Sequence, residues 1–312
     1  MEKVLRTPAD MSLTLGPVLF NWDAEKWRDF YYKMADEAPV DRVVVGEIVC
    51  EKRSPFFTKY MPDVIERLAG AGKHVVLGSP ILVMNARERQ MVQDLVELAG
   101  DDLTVEANDI SAVTALAGHS FAAGPFLNLY NEDAARLMQT QGANHISLPG
   151  ELSLASIYAI AAAVSVPVEV FAFGRMPLAI SARCYHARAH KLSKDGCQYV
   201  CARDPDGMDV DTLDSTPFLA VNGVQTMSYS LHNVISDLTA LSQAGVTGLR
   251  LSPQDMNMVQ VAEIFRRTLN GTLDPAEALL LLEDLVDGLT FSNGFLHGAE
   301  GFRALGGLAA AE

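Results

Sequence analysis

Short β-branched runs alternate with amphipathic helical windows along this chain, and that alternation limits its fold more than any other feature. Residues 12–20 read as a first strand and 24–35 as its helix, with Trp27, Phe30, Tyr31 and Met34 at helical spacing. The unit repeats: strands at 42–49, 74–83, 103–107, 121–129 and 145–148 precede helical windows at 57–71, 86–99, 111–117, 132–141 and 152–164. A seventh strand spans 166–173, but its helix is delayed. Residues 174–227 are rich in Arg, His, Asp, Gly and Cys and show no sustained period. A helix at 233–244, an eighth strand at 248–251 and a helix at 256–269 then resume the pattern. Eight strand–helix units predict an α/β fold, a parallel (β/α)8 TIM-type barrel with a Cys-containing insertion after strand 7. A doubly wound open sheet is the alternative, disfavoured because no Gly-x-Gly-x-x-Gly turn follows any strand. The expected organisation is one barrel domain over 1–312, with the insertion at about 174–227 and a C-terminal helical extension at about 274–312.

Charge and cysteine content narrow the function classes. Lys and Arg number 24 against 39 Asp and Glu, for a net charge of −15. Such a surface argues against nucleic acid or an anionic membrane as the main partner, because phosphate neutralisation needs clustered cations. Cys50, Cys184, Cys197 and Cys201 are too few to build a disulfide scaffold. Residues 1–17 carry no continuous apolar segment of the signal-peptide kind, so a cytoplasmic location with reduced thiols is expected. The longest apolar stretch, 152–173, is broken by Pro167 and Glu169 and reads as a buried helix running into a buried strand, with no membrane span.

In a (β/α)8 barrel the reacting groups sit on loops at the C-terminal ends of the strands. Cys50 is expected to end the second strand, and the other three cysteines lie in the insertion after the seventh, so all four thiols should face one end of the barrel. That convergence points to a single four-thiolate metal site. Structural zinc sites commonly use two tight Cys-x2–4-Cys pairs, and here only Cys197 and Cys201 make one. Iron–sulfur clusters accept thiolates from irregular spacings, so both metals stay open at this point. His186 and His190, at i, i+4 spacing, offer a further zinc donor. Alternatively they join Arg183, Arg188, Lys191 and Lys194 in a cationic rim suited to an anionic cluster or substrate.

Other signatures are weak. No His-Glu-x-x-His and no phosphate-binding Walker loop occurs. Gly118-His119-Ser120 resembles half of a nucleophile elbow, yet it precedes a strand where such an elbow would follow one. Glu47, Asn108, Asp109, Asn128, Glu151 and Arg175 fall at or near strand ends, as substrate contacts or as caps, with Asp109 and Asn108 suited to capping the next helix. Met256 and Met258 read as helix packing.

Three segments carry a resemblance: Leu15-Gly16-Pro17-Val18-Leu19-Phe20-Asn21-Trp22, Gly46-Glu47-Ile48-Val49-Cys50-Glu51-Lys52-Arg53, and Phe173-Gly174-Arg175-Met176-Pro177-Leu178 leading into Ser181-Ala182-Arg183-Cys184. With the Cys-x12-Cys-x3-Cys spacing, they make the chain similar to the collagenase-like peptidase family, and within it to cluster-binding members that serve ubiquinone biosynthesis. The resemblance implies a [4Fe-4S] cluster on Cys50, Cys184, Cys197 and Cys201 and a heterodimer with a UbiU-type paralogue. It further implies a role in oxygen-independent hydroxylation, with a lipid-binding accessory protein and a small anionic hydroxyl donor such as prephenate. Arg183 and Arg188 are the candidate contacts to that anion. The alternatives are a non-catalytic scaffold or electron-relay subunit, or a four-cysteine structural zinc barrel with another family activity, RNA-base hydroxylation or peptide hydrolysis.

Overall fold

A computed structural model describes residues 7–100, 103–286 and 288–306. Seven strands follow one another in parallel: β1 (Ser12–Leu15), β2 (Arg42–Val45), β3 (His74–Gly78), β4 (Thr104–Ala107), β5 (Phe121–Ala123), β6 (Ala143–Ser147) and β7 (Val168–Ile180). Three antiparallel strands come next, β8 (Met208–Asp211), β9 (Pro217–Asn222) and β10 (Gln225–Asn233), before the parallel order resumes with β11 (Gly248–Leu251). β11 pairs with β1 from Ser12↔Gly248 to Leu15↔Leu251 and with β7 from Gly248↔Glu169 to Leu251↔Phe173, which closes an eight-stranded all-parallel barrel. A last short strand, β12 (Phe291–Ser292), runs beside β10. The TIM-type (β/α)8 architecture is therefore the fold of this chain.

Several helices form where an apolar stripe meets a capping residue. In α1 (Ala24–Glu37) the Asp23 carboxylate accepts from the backbone of Glu25 and Lys26, and Trp27, Tyr31, Met34 and Ala35 turn one face inward. The outer layer continues with α2 (Ser54–Phe57), α3 (Met61–Gly70), α4 (Ala86–Leu98), α5 (Ile110–Ala115), α6 (Glu132–Thr140) and α7 (Leu154–Ala163). After the short α8 (Tyr185–Ala189) come α9 (Leu238–Gln243), α10 (Met258–Leu269) and α11 (Pro275–Glu283), the last packed on α10 as the helix of the C-terminal extension. The tail beyond 306 lies outside the described residues. No helix among the described residues is long and apolar enough to cross a membrane.

Two expectations are corrected. The first concerns strand ends: β2 stops at Val45, so Cys50 sits in the following loop and not on the strand. The cause is Gly46, whose φ of 142° leaves the strand conformation and whose missing Cβ lets the Gly78 carbonyl approach to 3.0 Å of where it would be. The second concerns 174–227, which showed no period yet contains regular structure. β7 runs on past the barrel rim, and its upper half, Phe173 to Ile180, pairs antiparallel with β10, which carries β9 and β8 in turn. The insertion is thus a small antiparallel extension of the barrel wall at its C-terminal end.

The barrel interior is charged where apolar layers are usual. Arg250 on β11 donates from Nε to Glu169 Oε1 on β7 at 2.7 Å and from Nη1 to Glu106 Oε1 on β4 at 3.2 Å, with a second Nη2–Glu106 contact. Ser147 Oγ donates to Glu169 Oε1 at 2.9 Å, and His145 Nε2 lies 3.5 Å from Glu169 Oε2. Burial pushes the Glu169 carboxyl up, but Arg250, His145 and Arg42 outweigh it and hold the group well below the ordinary carboxylate range.

Candidate functional site

The loop after β2 is folded around one carboxylate. Glu47 Oε1 accepts from the backbone N–H groups of Val49 and Cys50, both at 2.9 Å, and from Arg53 Nη2 at 2.6 Å. Arg53 also donates to the Leu19 carbonyl at 3.0 Å, which ties this loop to the one after β1. Both charged side chains are buried. Glu47 thus fixes the backbone of Cys50 and holds a cation beneath it.

The insertion brings the other thiols to the same place. Cys184 begins α8, its Sγ accepting from the Ala187 N–H at 3.4 Å. Gln198 and Tyr199 adopt left-handed conformations, φ 50° and 53°, which curl the chain between Cys197 and Cys201. Asn21 Nδ2 donates to Cys201 Sγ at 3.3 Å, and Trp22 Nε1 donates to the Pro205 carbonyl at 2.6 Å, so the loop after β1 anchors this curl. Lys52 Nζ bonds both the Lys194 carbonyl, at 2.8 Å, and Asp195, at 2.7 Å, clamping the Cys197 segment onto the Cys50 loop. The result is one cavity bordered by Cys50, Cys184, Cys197 and Cys201, with Arg53 and His186 in its wall.

Burial dominates the electrostatics. It pushes the Cys50 thiol up to about 12 against the pull of Arg53, and it raises Cys201 too. Burial pulls Arg53 down, but Glu47 and the nearby thiols more than compensate, so its cation is retained. His186 is buried with Nε2 2.7 Å from Asp204, and burial lowers its pKa. Of the two readings of His186, zinc donor or member of a cationic rim, this corrects the second: the residue is buried, lines the thiol cavity and stacks on His190 at 5.8 Å. Arg183, Arg188 and Lys191 are exposed and Lys194 half-buried around a neighbouring groove.

Four cysteines around a buried cation, with N–H donors on two of the sulfurs, form a donor set suited to a thiolate-bound metal group. Among the described residues no three His, Cys, Asp or Glu side chains are grouped to hold a single metal ion.

The remaining strand-end residues divide. Asp109 caps α5, accepting from the Ser111 N–H at 2.8 Å, whereas Asn108 turns back to Ser79 and Glu106. Arg175 is held by the carbonyls of Ser228 and Tyr229 and faces Asp206 and Asp209, a structural clamp at the top of β7. Ser120 precedes β5 and so belongs to the opposite end of the barrel from the thiols. Met258 is buried in α10 and Met256 packs beside the core. Asn128 and Glu151 border a second cavity, inside the barrel mouth, that the sequence did not reveal. Its floor residue, Arg250, left one signal: a lone charge within the apolar strand Gly248-Leu249-Arg250-Leu251.

A sequence profile described as peptidase family U32 matches residues 24–304. The chain belongs to that family. Among solved structures, this U32 member is similar to a U32 peptidase at 14% identity, over 81% of this chain and 96% of the other, with a TM-score of 0.43. It is also similar to a ligand-free tryptophan synthase from M. tuberculosis at 10% identity, over 89% and 94% of the two chains, with a TM-score of 0.38.

Proposed function

We propose that this U32 chain is a UbiV-type iron–sulfur subunit, acting as a heterodimer with a UbiU-type paralogue in the oxygen-independent hydroxylation of ubiquinone precursors. The observation that carries the reading is the meeting of Cys50, Cys184, Cys197 and Cys201 in one cavity from two separate barrel loops. A [4Fe-4S] cluster bound there supplies redox and Lewis-acid chemistry. The chain's own residues hold and shield it: Glu47 fixes Cys50, Asn21 and the Ala187 N–H donate to sulfurs, and Arg53 offsets the thiolate charge. A single tetrahedral zinc needs its sulfurs drawn within about 2.3 Å of one ion. A cubane reaches thiolates that stand farther apart, which suits four cysteines that border a shared cavity without being grouped around a single ion among the described residues.

In this reading a lipid-binding accessory protein presents the precursor, and a small anionic donor, prephenate among the candidates, meets the exposed guanidinium groups of Arg183 and Arg188. Peptide hydrolysis is less well supported. The four thiols are taken up as ligands in this reading, and Ser120 sits at the far end of the barrel.

Anaerobic reconstitution followed by iron, sulfide and zinc analysis tests the proposal. The expected result is about four irons per chain, with lower iron in each of Cys50→Ala, Cys184→Ala, Cys197→Ala and Cys201→Ala. Colourless protein carrying one zinc overturns it. Hydroxylation assayed with and without the paralogue then separates a catalytic subunit from a scaffold.

A further inference from the structure

We infer that the segment from Lys191 to Tyr199 is a lid over the four-thiol cavity, latched by Lys52, and that its opening is the way in and out for the metal group the thiols hold. The latch follows from geometry alone; the identity of what passes rests on the iron–sulfur reading proposed above.

The segment is a wall. Lys194, Cys197 and Tyr199 border the thiol cavity, whereas Lys191, Leu192, Ser193 and Lys194 border the groove outside it. Moving this wall therefore opens the cavity to solvent and carries Cys197 with it. Apolar packing does little to keep it shut, since no residue from Arg188 to Tyr199 is buried. Two of its hydrogen bonds stay local, from the Leu192 N–H to the Ala187 carbonyl at 2.8 Å and from the Gly196 N–H to Ser193 Oγ at 3.1 Å.

The ties to the Cys50 side are specific. Lys52 Nζ donates to the Lys194 carbonyl at 2.8 Å and to Asp195 at 2.7 Å, and the Tyr199 ring meets Phe56 of α2 edge-on at 4.8 Å. The Lys52 side chain is 17% exposed and that of Asp195 95%, so the anchor belongs to the barrel and the part that moves lies in solvent. An ion pair with one member so exposed is weak, worth up to about fivefold in an equilibrium. Such a latch holds the lid without locking it.

Both ends of the lid favour release. Lys191, Gln198 and Tyr199, with φ of 59°, 50° and 53°, are three of the five non-glycine residues in the left-handed region among the described residues. That conformation is unfavourable for residues with a Cβ, so the closed arrangement must hold it in place. Opening frees all three.

The test begins with limited trypsin digestion of the full chain without metal, following cleavage after Lys191 by mass spectrometry. When opening and closing are fast, this cleavage tracks the open population. Lys52→Met should speed it about fivefold, Asp195→Ala should speed it too, and Lys52→Arg should keep much of the protection. The double variant Lys52→Met/Asp195→Ala should match Lys52→Met, because both changes remove the same tie. Circular dichroism melting checks folding, and Asp195→Ala, at an exposed position, carries the test if Lys52→Met does not fold. In reconstituted protein, iron should pass to EDTA about fivefold faster in Lys52→Met than in the wild type. Unchanged cleavage after Lys191 in the folded variants overturns the latch, as does an additive double variant. Faster cleavage with unchanged metal release overturns the lid as the metal's route. Protein that takes up zinc in place of iron overturns the iron–sulfur reading alone, since zinc release to EDTA reads the lid in the same way.

Discussion

Glu47→Gln isolates the charge that organises the Cys50 loop. The glutamine oxygen can still accept from the N–H groups of Val49 and Cys50, so the loop's shape is largely preserved, but Arg53 loses its counter-ion. Both side chains are 2% exposed, and Arg53 is left with neutral acceptors alone, the glutamine oxygen and the Leu19 carbonyl. Leaving one member of a buried pair unmatched costs about 3–5 kcal/mol. The surface pair Lys26–Asp255, with side chains 44% and 34% exposed, supplies the control, since Asp255→Asn should cost less than about 1 kcal/mol. Urea unfolding of the full chain, with every variant in the same metal state, reads the difference as a shift in midpoint. The double variant Glu47→Gln/Arg53→Met removes both charges, and replacing a buried pair by apolar groups is often neutral, so it should recover much of the loss. The reasoning fails if Glu47→Gln is no more harmful than Asp255→Asn, or if the double variant is less stable than Glu47→Gln alone.

The barrel interior predicts an acid limb. Glu169 titrates well below its ordinary 4.5, so its contribution to stability is complete above about pH 4.5 and is lost as pH falls towards its folded-state value. Glu169→Gln should lower stability at pH 7 and flatten the dependence of the unfolding midpoint on pH below about 4.5. Burial lowers His232 to about 4, so its ring should stay neutral well below its ordinary 6.5, and stability should fall as pH drops from 6.5 towards 4. An NMR titration of the imidazole that shows protonation near 6.5 contradicts this. Asp109→Ala removes the cap of α5 and should cost about 1 kcal/mol without changing iron content, as read by thermal melting and metal analysis.

Much of the site was legible from strand-end logic alone. Cysteines in the segments that follow strands 2 and 7 face one end of a parallel barrel, and the structure gathers them in one cavity. What the spacing did not reveal was how they are held. Glu47 read only as a strand-end polar residue, and its role depends on a carboxylate turned inward onto Arg53 and two N–H groups. His186 read either as a zinc donor or as part of a charged rim, because i, i+4 spacing shows that two rings share a helix face but not which way that face turns.

The sequence by itself determined the closed parallel barrel, because eight apolar strands separated by amphipathic helices have few other ways to bury both layers. Tertiary structure decided the rest. β8 has alternating half-buried and exposed residues and carries Asp at two of its four positions, so its pairing with β9 is carried by the backbone ladder, which leaves little side-chain period to read. Arg250 meets Glu169 and Glu106 across sequence separations of 81 and 144 residues, and a single charge in an apolar run does not name its partner. The mouth cavity has no local signature at all, because its wall is assembled from separate loops and strands and the ion pairs of Arg250 beside it form only when the barrel closes.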